Sequence, residues 1–396
     1  MKRLMNAIRV ACLMAVAMMS AASGAESGAA SAIRISKWAD PSKFIPVSMT
    51  GFTGEVDAVL RFDLAIQGFT FVGASEAAYL ISGSNGGQVE GHVVESATKA
   101  RVLDRGYANG NSRAQAHALA DDIIQAITGQ KGISQTKIAF KTEVATSVNE
   151  VVVADFDGYN AVKVTQDNAL VFAPAWAPGK RTLYYTSYRL GNPDVYLHDV
   201  TSGNRQVVAR YTGLNTGAAI SPNGQRMALI MSKAGSPDVY VADAHGGTPV
   251  QLTKTREDES SPTWSPDNQT ICFASRVDGR PALYTISASG GAMKRLVTAG
   301  VGNATEPDWS PDGKSIVFTT QRGGASFEIC VIPSSGGEVK VLTSGEDPSW
   351  APNSRTVIFT KRANGKRVLS LLDVPTKHVK DVKYISGSCS QPSWAR

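Results

Sequence analysis

A short turn led by tryptophan recurs through the last two-thirds of this chain. It reads Trp176-Ala-Pro-Gly, Ile220-Ser-Pro-Asn-Gly, Trp264-Ser-Pro-Asp-Asn, Trp309-Ser-Pro-Asp-Gly and Trp350-Ala-Pro-Asn-Ser, with a sixth copy at Ser393-Trp394-Ala. Successive copies lie 44, 44, 45, 41 and 44 residues apart. A period of about 40–45 residues is the length of one four-stranded propeller blade. Such blades stack around an axis because each buries its faces on its neighbours.

Each repeat has the same internal order. A Pro-Asp-Gly type of turn leads into an alternating strand, as in Ile271-Cys-Phe-Ala-Ser or Ile316-Val-Phe-Thr-Thr. A second strand follows, such as Asp238-Val-Tyr-Val-Ala-Asp, then a hairpin at Gly246-Gly247, Gly290-Gly291 or Gly336-Gly337. A third strand ends near Leu252, Leu296 or Leu342, and the run into the next Trp is the fourth. Three strands precede Trp176 without a partner: Lys137 to Thr142, Asn149 to Phe156 and Ala161 to Thr165. One strand, ending at Trp394, is left over at the other end. Three plus one make a sixth blade, and joining them leaves no exposed sheet edge. The fold class read from the sequence is therefore a small N-terminal α/β domain followed by a six-bladed β-propeller over residues 137–396. The propeller is closed by pairing of its first and last strands. The repeated Trp rings are expected to pack between blades, and Ile220 shows that an apolar filler suffices in that slot.

The first residues read as a signal peptide, residues 1–25. Lys2, Arg3 and Arg9 precede an apolar run from Val10 to Met19, too short to span a bilayer, and small residues follow to Ala25. Removing those three charges from the 40 Lys and Arg leaves 37 against 34 Asp and Glu, a net +3. That balance, without blocks of like charge, indicates no nucleic-acid partner. No direct membrane insertion is expected of the mature chain. Cys272, Cys330 and Cys389 show no CxxC spacing and read as buried thiols.

Residues 26–132 do not follow the repeat. They predict an α/β domain with a flexible N-terminal tail. Strands are expected over Pro46 to Phe52, Phe69 to Val72, Tyr79 to Ser82, Gln88 to Glu95 and Lys99 to Asp104. Helices are expected over Glu55 to Gln67 and Ser112 to Thr128. The second helix is capped by Asn111 or Ser112, ended by Gly129, and apolar along Ala116, Leu119, Ala120, Ile123, Ile124 and Ile127. Ile33, Arg34 and Ile35 form a short alternating segment able to add to a sheet edge.

A search for chemistry returns no catalytic residues. His92, His117, His198, His245 and His378 are scattered, with no metal-ligand spacing. GxSxG and HExxH motifs are absent. Asp155 and Asp157, beside Gly158, read as turn formers. No cofactor is expected, although a divalent cation held by channel carbonyls is compatible with a propeller. The segments entering the innermost strands ring one mouth of the channel and vary while the Trp frame repeats. Candidate partner-binding residues are therefore Phe172, Ala173, Leu214, Asn215, Thr216, Gly217, Glu259, Ser260, Ser261, Thr305, Glu306, Glu346, Asp347 and Gln391. Phe172 and Leu214 are expected to offer apolar contact, and Glu259, Glu306 and Asp347 charge at the rim. Two function classes follow: a protein-binding scaffold, or a propeller-type periplasmic hydrolase or lyase acting at the central channel.

Three stretches carry a family resemblance: Thr128-Gly-Gln-Lys-Gly-Ile, Asp155-Phe-Asp-Gly-Tyr-Asn, and the series Pro174-Ala-Trp-Ala-Pro-Gly, Pro262-Thr-Trp-Ser-Pro-Asp and Pro307-Asp-Trp-Ser-Pro-Asp. With the signal peptide and the domain order, the chain resembles the TolB family of the periplasmic Tol-Pal system. It departs from the family pattern in a shorter first domain and in Ile220. The resemblance implies a monomer that binds the outer-membrane lipoprotein Pal at one channel mouth. It also implies that the N-terminal tail engages TolA, and that the system supports envelope integrity and division.

Overall fold

The computed structural model describes residues 40–396 apart from Lys180, Arg322, Gly324 and Ala325. The expected signal peptide and the tail residues Ile33, Arg34 and Ile35 lie outside the described residues. An α/β domain comes first, then six four-stranded antiparallel sheets.

The α/β domain holds β1 (Ile45–Thr50), α1 (Gly54–Ala65), β2 (Phe69–Phe71), β3 (Tyr79–Ser84), β4 (Val89–Glu95), β5 (Arg101–Tyr107) and α2 (Ser112–Thr128). Its sheet runs β2-β1-β3-β4-β5. The apolar stripe of α2 puts Ala116, Leu119, Ala120, Ile123 and Ile124 in the core. Asn111 caps that helix, its side chain accepting from Ala114 N–H at 2.9 Å, and Gly129 ends it at φ 74°. Helix α1 stops short of the expected Gln67. The Gln67 side chain leaves the helical pattern, accepting from Ile133 N–H at 3.2 Å and donating to Asp63 O at 3.2 Å. Gly68 then turns the chain at φ 93°.

In each blade the strand that ends in the Trp slot is innermost, with Ile220 filling that slot in blade II. The inner strands of blades I to V are Val171–Trp176, Asn215–Ile220, Glu259–Trp264, Thr305–Trp309 and Glu346–Trp350. Blade VI is composite. Its inner strand, Cys389–Trp394, pairs antiparallel with Lys137–Ala145, setting Cys389 opposite Thr142 and Trp394 opposite Ile138. Val148–Asp155 and Val162–Lys163 complete the sheet. The ring closes as the strand count predicts. Between blades III and IV, Thr298–Ala299 adds a two-residue parallel clip to Gly337–Glu338, where only a hairpin is expected.

Separate apolar clusters fill the boundaries between blades. One joins Tyr184 and Val195 to Met227, Leu229 and Tyr240. The one at the seam joins Ile138, Phe140 and Trp394 to Ile358 and Leu371. The Trp rings are buried at these boundaries, as expected. Trp264 Nε1 donates to Ala219 O of the preceding blade at 2.9 Å, and Trp350 Nε1 to Asp308 O at 3.1 Å. Trp394 Nε1 donates to Thr136 Oγ1 at 2.8 Å, tying the last strand to the segment that starts the ring.

The seam also carries the α/β domain. Ile66 and Phe62 pack into the Trp394 cluster, and Phe156 sits 6.0 Å from the Phe62 ring and 6.3 Å from Trp394. Beside them lies a buried charge network. Arg113, 4% exposed, pairs with Asp157, 3% exposed. His117 Nδ1 lies 2.7 Å from Asp63 Oδ2, and its Nε2 lies 3.8 Å from Asp157. Asp157 does accept from Tyr159 N–H at 3.0 Å, the turn role read from the sequence. Its bond to Arg113 across the domain boundary has no local sequence signal. Asp155 accepts from Lys137 Nζ and from the Asn160 side chain at the same turn.

Two predictions come from this seam. Trp394→Ala removes a large side chain from a closed boundary and is expected to cost about 3–5 kcal/mol. Denaturant unfolding measures it, and an unchanged midpoint contradicts the closure. The second concerns pH. Burial pushes Asp63 up to about 6, and the His117 bond only partly offsets it. Burial opposes charge on His117, but the bond and charge of Asp63 outweigh it and raise its pKa. Both shifts make the folded protein hold more protons than the unfolded chain, so stability falls as pH rises from about 4 through these folded values. Asp63→Asn is expected to flatten that slope between about pH 4 and 6. Equal slopes in the two proteins, followed by urea melts across the range, contradict the assignment.

Candidate functional site at the channel mouth

The inner strands share one irregularity. Three residues before each Trp slot stands a residue with left-handed backbone: Ala173 (φ 52°), Gly217 (63°), Ser261 (52°), Glu306 (52°), Asp347 (55°) and Gln391 (51°). At each the pairing register slips by a bulge. Proline follows in five of the six strands, and Ala218 in the other. Proline has no N–H to give a ladder and restrains the residue before it, so a bulge is where a strand tolerates it. Blade II makes the same bulge at Gly217 with Ala218 in place of proline, so the bulge belongs to the inner strand of every blade and proline sits where the ladder needs no N–H.

These six bulges ring one end of a cavity of 730 Å³ that follows the inner strands. Pro178, Pro222, Pro266 and Pro311, from the turns after the Trp slots, line it as well. Arg396 reaches into it, donating to Trp350 O at 3.2 Å and Trp309 O at 3.3 Å and pairing with Asp308.

Around half of the ring, each bulge side chain holds the next bulge backbone. Asp347 N–H donates to Glu306 Oε2 at 2.9 Å. Gln391 N–H donates to Asp347 Oδ2 at 3.0 Å, and Ala173 N–H to Gln391 Oε1 at 3.0 Å. Glu306 also accepts from the Thr319 hydroxyl at 2.7 Å. Burial, then the facing Asp347 charge, pushes Glu306 up; burial, then the neighbouring Glu346 charge, pushes Asp347 up, with Lys141 opposing.

Other candidates have other places. Phe172 lines the mouth, its ring 6.3 Å from that of Tyr188. Leu214 lines it too, fixed by its N–H donating to Ser232 Oγ at 2.8 Å. Thr216, Ser260 and Ser261 also face the cavity, and Thr216 Oγ1 accepts from Thr186 at 3.0 Å. Thr305 bonds back to Thr319 O at 3.5 Å. Glu346 pairs with Arg367 at 3.2 Å and is not among the cavity walls. Asn215 is fully buried, its amide donating to Tyr211 O at 2.8 Å and Pro193 O at 3.1 Å. Glu259 corrects the expectation of charge at the rim. It is 1% exposed, and its carboxylate accepts from Thr255 at 2.9 Å and Ser275 at 2.8 Å. Burial raises its pKa, and the adjoining Asp238 adds to the rise. Asn215 and Glu259 occupy the same slot, two residues before the bulge, and both fasten the loop that enters the blade. Pro237 and Asp258 line the mouth without having been singled out. They lie outside the repeated Trp frame, so spacing gives no sign of them.

The histidines lie elsewhere. His198 sits in a third strand against the Tyr185 hydroxyl at 3.4 Å, and His92 pairs with Asp104 in the α/β sheet at 2.6 Å. Among the described residues, no group of three or more His, Cys, Asp or Glu side chains is placed to hold a metal ion. Cys272, Cys330 and Cys389 are buried and free.

The family model of the TolB β-propeller domain matches residues 124–396. The Tol-Pal system protein TolB of Alcanivorax borkumensis is 30% identical over 39% of this chain, a match that spans 38% of that protein. The protein of the same name from Haemophilus ducreyi is 36% identical over 26% of this chain and 24% of its own length. The matched segments thus span well under half of these relatives. The crystal structure of TolB from Acinetobacter baumannii superposes with a TM-score of 0.80 at 23% identity, over 89% of this chain and 96% of that one, a likeness of fold. On the strength of the propeller match, this chain belongs to the TolB β-propeller family.

Proposed function

We propose that this chain is a periplasmic, protein-binding component of a Tol-Pal envelope system. In this reading it docks the lipoprotein Pal at the bulge-ringed channel mouth and engages TolA through the segment around Ile33, Arg34 and Ile35. The single observation that carries the reading is the make-up of the mouth. Phe172 and Leu214 give apolar contact, Thr216, Ser260 and Ser261 give a polar rim, and a ring of six bulges holds them. Protein interfaces combine an apolar centre with a polar edge on a pre-organised scaffold. Family membership and the names of the relatives support the same assignment.

Three of the acids that line the channel, Glu259, Glu306 and Asp347, are engaged in bonds that hold the scaffold. A general acid or base needs an oxygen free to meet substrate. Glu306 and Asp347 instead receive neighbouring backbone N–H groups, and the Glu259 carboxylate receives threonine and serine hydroxyls. No helix among the described residues is long and apolar enough to cross a membrane. The leader-like residues 1–25 supply the route to the periplasm in this account.

Replacing Leu214 and Gly217 together with arginine is expected to abolish binding of the soluble Pal domain, read by calorimetry, while unfolding stays cooperative. Binding that survives this pair, but is lost on changes in the outer hairpins at Gly246 or Gly290, puts the site on the wrong face. A chain beginning at Trp38 is expected to lose binding to the TolA domain while keeping Pal. Equal TolA affinity with and without the tail removes the tail from the mechanism.

A further inference from the structure

The ring of bulges is six-fold in backbone but not in hydrogen bonding. Glu306, Asp347 and Gln391 each reach across to the bulge N–H of the next blade, so the N–H groups of Asp347, Gln391 and Ala173 are taken. Ala173 and Gly217 have no side-chain acceptor to offer the blade after them. The Ser261 hydroxyl makes no side-chain bond among the described residues. The matching φ values and register slips turn the N–H groups of Gly217, Ser261 and Glu306 the same way as their latched counterparts. The mouth therefore has a self-satisfied half and an open half.

Nothing in the packing demands glycine at the open half. A Cβ on Gly217 would meet its nearest atoms, Pro262 Cδ and Ile230 Cγ1, at 3.7 and 3.8 Å, which is ordinary contact. Alanine, serine, glutamate, aspartate and glutamine all hold the same left-handed conformation at the five equivalent positions. A side chain at 217 is missing where the fold has room for one, so the Ser261 N–H lacks the side-chain acceptor that the Asp347, Gln391 and Ala173 N–H groups have. Leu214 of blade II forms an apolar wall beside these donors, and Phe172 of blade I lies where the open and latched halves meet. Backbone donors that lack the side-chain acceptor their three counterparts have, beside an apolar wall, favour a ligand that brings its own carbonyl groups.

We infer that the mouth is a one-sided peptide clamp, in which the N–H groups of Gly217, Ser261 and Glu306 receive main-chain carbonyls of an extended, uncharged segment of the docked protein. The Glu306–Asp347–Gln391 half is a closed wall that sets the segment's position. This inference rests on the docking reading above and adds which half binds and by which chemistry. Charge agrees with an uncharged segment: Asp258 on the open half and the carboxylates of Glu306 and Asp347 on the latched half disfavour an acidic ligand.

Ala173→Gln and Gly217→Gln each install on the open half the side chain that Gln391 already carries at φ 51°. Each new amide oxygen would cap the next N–H, and the affinity of the full chain for the soluble Pal domain is expected to fall at least about tenfold. The control Val250→Gln, at an exposed site on the outermost strand of blade II and away from the mouth, is expected to leave that affinity within about threefold. Amide exchange of the unsubstituted protein reads the same contacts without any variant. Gly217, Ser261 and Glu306 should exchange more slowly on binding, with Asp347 and Gln391 unchanged. Wild-type binding that neither glutamine at the mouth weakens, or without slowing at Gly217 and Ser261, overturns the clamp alone. No binding by the unsubstituted chain overturns the docking reading and the clamp with it.

Discussion

A propeller stands or falls on the one boundary that the chain cannot make by simply continuing. Blades I to V form from contiguous sequence, each sheet burying one face on the last and offering the other to the next. The boundary of blade VI is different, because its inner strand and its second strand lie about 250 residues apart along the chain. Pairing Cys389–Trp394 with Lys137–Ala145 covers two edges at once, and an uncovered edge is a template for aggregation. The same strand places Trp394 against Phe156 and Ile66, so the closure also seats the α/β domain. Contacts this far apart in sequence bring the slow, entropically costly step of folding to the seam.

The architecture was legible because its causes are local and repeated. Trp slots at a fixed spacing, Gly-rich hairpins and a three-plus-one strand count lead to six blades and to the closing pair. The second helix of the first domain was equally plain, with Asn111, the apolar stripe and Gly129 all agreeing. The two-residue clip between Thr298–Ala299 and Gly337–Glu338 was not legible, because it is too short to leave a pattern.

The candidate site was legible as a place and not as chemistry. Reading which segments enter the inner strands leads to the mouth. It does not tell Glu259, turned inward to threonine and serine hydroxyls, from Asp347, whose carboxylate holds the next blade. The period-two rule fails there because a bulge resets the alternation. The buried Arg113–Asp157 pair was hidden for another reason. Its partners come from two domains, 44 residues apart in sequence, so no local spacing joins them. One signal was present and unused. Proline two residues before the Trp slot in five repeats has no N–H for a ladder, and a bulge is where a strand tolerates it.

The proposed docking surface lies at the bulge end of the channel, where the six inner strands meet. Photo-crosslinking in living cells tests this most directly. A photoreactive amino acid at Phe172 is compared with one at Gly290, on an outer hairpin. The account predicts an adduct to the envelope lipoprotein Pal from position 172 and none from position 290. An adduct from position 290 with none from position 172 would contradict it.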